Sequence, residues 1–98
     1  MSRTSYAAVW TGGGEPLVGS IVLGPTSLIL EGKGPGRELL ERIRYDEITS
    51  LSVDRSRSGR LAGRASLVLE HGKRLVRLAT PETGVLPELY ERLSEATQ

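Results

Sequence analysis

Four arginines fall within DRSRSGRLAGR, residues 54–64: Arg55, Arg57, Arg60 and Arg64, interleaved with serine and glycine. A guanidinium offers parallel N–H groups to a phosphate or a carboxylate. A loop carrying four of them could clamp an acidic partner or dock on an anionic surface. The plainer account is a solvated connector between two strands, kept extended by its own like charges. No aromatic side chain interrupts the segment, so single-stranded nucleic acid would find no stacking platform there. On residue types alone the connector is the stronger account.

The other candidates are weaker. GKGPG (32–36) begins like a dinucleotide-binding fingerprint, but its sixth position is Arg37 and Pro35 lacks an N–H to offer a phosphate. It is too rich in glycine for a regular element and fits a strand-joining loop. His71 is the single histidine and lies beside Gly72 in an expected hairpin turn, which would leave it exposed. Glu70 falls on the opposite strand face, and no second imidazole exists to share a metal. Asp46 and Glu47 could divide acid and base roles if burial separated their pKa values, but neighbouring carboxylates at a corner face water. Tyr6 and Trp10 share one strand face and could line a groove. In a chain so poor in aromatics they are better placed in the core, as is Tyr90. No enzymatic constellation, cofactor or metal site is expected.

These residues sit on a chain of 98 residues, the size of one domain spanning 1–98. Aromatics make up 4% with no Phe, so the core must come from leucine, valine and isoleucine. There is no cysteine, which removes disulfides, thiolate catalysis and Cys-rich metal sites together. Net charge is +1, which speaks against a general nucleic-acid binder. The basicity is local: residues 54–64 hold four arginines against one aspartate, and the remainder holds nine basic and eleven acidic residues. The apolar run Tyr6–Trp10 is too short for a signal sequence or a membrane span. A soluble, cytoplasmic chain is expected.

Short apolar runs divided by turn signals mark a mainly β chain. Strands are expected at about 5–11, 17–23, 27–32, 38–45, 48–54, 65–70 and 74–80. Gly24-Pro25 implies a tight hairpin between the second and third, and His71-Gly72-Lys73 one between the last two. RELLERIR (37–44) is ambiguous. Leu39, Leu40 and Ile43 fit a helix, while Leu39, Ile43 and Tyr45 share one face of a strand. Tyr45-Asp46-Glu47 makes a corner, after which Leu51 and Val53 point inward. The period then changes: Val85, Leu86, Leu89, Tyr90 and Leu93 form one stripe of a helix over about 84–96. Pro87 belongs in its first turn, Thr83 is the expected N-cap, and Glu88 is spaced to pair with Arg92.

Seven strands and a closing helix resemble the pleckstrin-homology (PH)-like superfold, especially its bacterial PH and GRAM-like members. The resemblance is carried by VGSIVLGPTSLILEG (18–32), IRYDEITSLSV (43–53), LVLEHGKRLVRLAT (67–80) and LPELYERL (86–93). It implies a seven-stranded antiparallel barrel or sandwich capped by the C-terminal helix. It also implies a scaffold for protein or peptide binding, with self-assembly in some members. Phosphoinositide-binding members carry a basic cluster in the first hairpin loop; here that loop is TGGGEP (11–16), which has none. Inositol-lipid recognition is therefore not expected.

The reading from sequence is a non-enzymatic interaction module that binds a protein or peptide, with Arg55, Arg57, Arg60 and Arg64 steering acidic partners. Exposed sheet edges leave room for a homo-oligomer. The alternative is a binder of anionic surfaces, lipid headgroups or nucleic acid, through the same four arginines.

Overall fold

Apolar side chains at every second position commit most of this chain to strands with one wet and one dry face. The computed structural model describes residues 4–82 and 84–98. Its elements are β1 (Ser5–Thr11), β2 (Leu17–Leu23), β3 (Ser27–Gly34), β4 (Arg37–Arg44), β5 (Ile48–Asp54), β6 (Ser66–His71), β7 (Arg74–Ala79) and α1 (Val85–Ala96). RELLERIR is a strand. Its ladder with β3, running from Ser27 opposite Arg44 to Gly34 opposite Arg37, overrides the helical spacing of its leucines.

All seven strands are antiparallel neighbours in one sheet, in the order β4-β3-β2-β1-β7-β6-β5. The sheet does not close into a barrel. Its two edges, β4 and β5, follow one another in sequence yet do not pair; a short 3-10 turn at Tyr45–Glu47 lies between them. Tyr45 pins that corner elsewhere: its hydroxyl donates to the Gly24 carbonyl at 2.8 Å and its N–H to the Thr26 carbonyl at 3.1 Å. The corner is thus folded onto the β2–β3 turn, and β5 leaves it away from β4. Burial pushes the Tyr45 phenol above its ordinary pKa, with the Arg92 cation acting in the opposite sense.

Tyr6, Trp10, Ile21, Leu28, Leu30, Ile43, Leu67, Leu69, Val76 and Leu78 form the dry side of the sheet. β3 runs two residues beyond the expected boundary, its ladder continuing through Lys33 and Gly34 opposite Glu38 and Arg37 of β4, and it also receives Trp10. The indole N–H donates to the Glu31 carbonyl at 2.9 Å, and the ring lies against Gly32. A Cβ at Gly32 would stand 2.8 Å from both the indole nitrogen and the Leu17 Cβ. Glycine inside a strand here marks a close approach rather than a loop. The turn that follows is only Pro35-Gly36, with Gly36 at φ +73°.

The helix begins one residue later than expected. Its N-cap is Gly84, at φ +84° and without a side-chain cap, rather than Thr83, which lies outside the described residues. Pro87 falls in the first turn, where its missing N–H costs no helical bond. Leu89 and Leu93 are fully buried, and the helix packs against β5 and β6. Arg92 does not pair with Glu88; it donates to the Tyr6 hydroxyl at 3.3 Å, tying the helix to β1. No helix among the described residues is long and apolar enough to cross a membrane.

Two substitutions test this core by urea denaturation. Leu89→Ala should cost about 2–5 kcal/mol, the range for emptying a buried leucine site. Gly32→Ala, which adds a single methyl under the indole, should cost about 1–3 kcal/mol through overpacking.

Candidate interaction groove

The arginine loop is folded back on the sheet, not extended. Its anchor is Asp54, the last residue of β5. The carboxylate accepts the Ser56 N–H at 2.9 Å, the Ser56 hydroxyl at 2.6 Å and the Arg77 guanidinium at 3.1 Å. The two Ser56 bonds, then Arg77, hold its carboxyl down at about 2 against an ordinary 3.8. Gly59 lies directly over that carboxylate, where a Cβ would collide with it. The Gly59 carbonyl accepts the buried Ser66 hydroxyl at 2.6 Å, and Arg77 reaches the same hydroxyl at 3.3 Å. Strands β5, β6 and β7 therefore each supply one side chain to the base of the loop.

The tip is a miniature hairpin. Leu61 and Arg64 exchange backbone bonds of 2.9 and 3.1 Å around Ala62-Gly63. Both turn residues have positive φ, +54° at Ala62 and +75° at Gly63, the conformation of a type I′ turn. Leu61 is buried, which keeps the tip against the protein.

This order separates four arginines that the sequence left equivalent. All four are exposed, and among the described residues none belongs to an ion pair. Arg55 and Arg64, however, line a groove of about 1090 Å³ between the loop and α1; Arg57 and Arg60 do not. Val53, Leu86 and Tyr90 give the groove apolar surface, and Glu82, Glu88 and Glu91 line it beside the two arginines. Tyr90 thus packs against the core and lines the groove as well. The lining thus combines two arginines, three glutamates and the end of the edge strand β5.

No protein-family model and no curated protein matches the sequence.

The remaining candidates are placed as follows. Trp10 and Tyr6 are buried in the core. Asp46 and Glu47 are exposed and serve the corner, with Asp46 paired to Arg44 at 2.7 Å and Glu47 accepting the Arg44 N–H. GKGPG is the end of β3 and its turn. His71 is not an exposed turn residue: it ends β6, the turn is Gly72-Lys73 alone, and its side chain is only 13% exposed. Gly72 at φ +59° allows the shorter connection. The imidazole instead faces Glu41 of β4, with Nε2 3.8 Å from a carboxylate oxygen that Arg74 holds at 2.9 Å. Neither Glu41 Oε1 nor His71 Nε2 makes an aligned hydrogen bond. Sequence reasoning missed this cluster because Glu41 is a charged residue at an inward position of an ambiguous strand.

Protonating Asp54 would remove the acceptor at the base of the loop. Its carboxyl titrates at about 2 in the folded chain and 3.8 when free, so its stabilisation is complete above the free value. It is lost as pH falls through the folded value. Asp54→Asn should lower the melting temperature at neutral pH and show less acid-induced loss than wild type, followed by thermal unfolding from about pH 5 to about pH 2. Ala62→Asn should stabilise the chain by about 0.5–1 kcal/mol, because asparagine tolerates the left-handed turn better than alanine.

Proposed function

We propose that this chain is a PH-like, non-enzymatic interaction module of the cytoplasm, binding an extended protein or peptide segment in the groove between β5, the arginine loop and α1. Seven antiparallel strands followed by one helix support the PH-like part of the reading, and the cysteine-free composition suits a reducing compartment. The observation that carries the binding mode is the contrast between the two sheet edges. β4 bears five charged residues in eight. β5 bears none from Ile48 to Val53, and its Thr49, Ser50 and Ser52 are exposed. An incoming strand could bond to the β5 backbone without stripping water from charged side chains. Val53, Leu86 and Tyr90 would then receive its apolar residues, and Arg55 and Arg64 an acidic one.

The test is a peptide-library selection on the wild-type chain, followed by binding kinetics of the selected peptides. Arg55→Ser with Arg64→Ser should slow association severalfold and flatten its salt dependence, as loss of rim charge does. Arg57→Ser with Arg60→Ser should change neither. Equal loss from both pairs, with binding only to anionic vesicles or nucleic acid and a steep salt slope, would replace this reading with the anionic-surface one.

A further inference from the structure

The opposite edge has its own chemistry. β4 presents the most exposed leucine of the chain, Leu40 at 69%, next to Leu39 at 46%, and Val18 two strands away is 66% exposed. A long unpaired edge with an apolar centre is a template for pairing with another strand. We propose that β4 pairs antiparallel with β4 of a second copy, about a two-fold axis through Leu40, joining two seven-stranded sheets into one.

The order of residues Arg37-Glu38-Leu39-Leu40-Glu41-Arg42 selects both the partner and the register. In an antiparallel pair, residues opposite one another turn their backbone groups either both toward the seam or both away. For two identical strands related by a two-fold axis, this allows only registers in which one residue meets its own copy. The alternative with Leu39 opposite the partner's Leu40 is thereby excluded, and it would also set Glu38 against the partner's Glu41. Registers centred on Glu38, Glu41 or Arg42 put like charges on the axis. A register centred on Leu39 would pair Arg37 with the partner's Glu41, but that carboxylate is already held by Arg74 at 2.9 Å.

Centring on Leu40 matches the charges of the outer face, while Arg37 falls opposite the partner's Ile43 and Glu41 opposite the partner's Leu39. Glu38 then lies opposite the partner's Arg42, and by symmetry Arg42 lies opposite the partner's Glu38. Alternation puts Glu38, Leu40 and Arg42 on the same face, so the two Leu40 side chains meet between two ion pairs. Glu38 already contacts Lys33 at 3.2 Å, and the new pair extends that contact into a network. The charges that make β4 a poor edge for a foreign strand are matched by a second copy of the same strand. The β5 groove lies at the other edge of the sheet and stays free.

The absence of cysteine gives a clean test. Leu40→Cys places a single thiol on the axis, where opposed Cα atoms stand about 4.5–5.5 Å apart, within the span of a disulfide. Mild oxidation should convert this variant to a covalent dimer, while Val18→Cys under the same conditions should remain monomeric. In sedimentation equilibrium, Glu38→Arg should weaken dimerisation roughly ten-fold or more, since two attractive pairs become repulsive. Adding Arg42→Glu to the same chain should restore it. Unchanged urea denaturation would show that these surface variants remain folded. A wild-type chain that is monomeric at about millimolar concentration overturns the proposal. So does a dimer indifferent to Glu38→Arg, a charge-reversed double variant that stays monomeric, or cross-linking of Val18→Cys as fast as that of Leu40→Cys.

Discussion

The fit of Trp10 against Gly32 is the constraint on which the sheet depends. With one tryptophan and no phenylalanine, a single indole is the largest fully buried side chain of the core. It fits because Gly32 of β3, two strands away, carries no side chain beneath it. Gly19 stands opposite Gly32 on β2, where a Cβ would collide with the Glu31 carbonyl, so both strands approach as bare backbone. The indole N–H then takes the Glu31 carbonyl oxygen, leaving neither group unsatisfied in the dry interior. Trp10 also sits opposite Leu17 on one side and Leu78 on the other, making β1 the strand that holds the two parts of the sheet together.

From that centre the sheet runs out to two edges with different chemistry. β4 ends it with alternating charges around a leucine pair. β5 ends it with small polar residues and an aspartate that organises the following loop. Through Asp54, Ser66 and Arg77 that loop is fastened to three adjacent strands, so the positions of Arg55 and Arg64 are set by the sheet. Contacts of the half-buried Glu41 with His71 and with the exposed Arg74 link β4 to the β6–β7 hairpin, although β4 shares no backbone bonds with it. Side chains accomplish there what a closed ladder would otherwise do.

Most strands were legible because their alternation is unambiguous. Leu67 and Leu69 in β6, and Leu89 and Leu93 in α1, are buried as their spacing implies. Where the sequence misled, long-range contacts decided. Lys33 and Gly34 read as loop until they pair with Glu38 and Arg37, and Arg37–Arg44 reads as helix or strand until β3 pairs with it. Four arginines in one segment were visible, but their division into two that line a groove and two that do not depends on the turn at Ala62-Gly63. Alanine in a left-handed conformation gives no warning in the sequence. Nor does Glu41, whose partners His71 and Arg74 come from the far side of the fold.

The strand order also governs how the molecule assembles. Strands β1–β4, and likewise β5–β7, pair with chain neighbours, so their ladders close short loops at small entropic cost. Only β1 and β7 join strands distant in sequence, over three residue pairs: Val9 with Ala79, Trp10 with Leu78 and Thr11 with Arg77. That short seam carries the largest loop-closure penalty. Loop-closure entropy makes it the joint expected to form last, where two half-sheets must meet. The single indole stands on it, so its fluorescence reports directly on the docking of one half against the other.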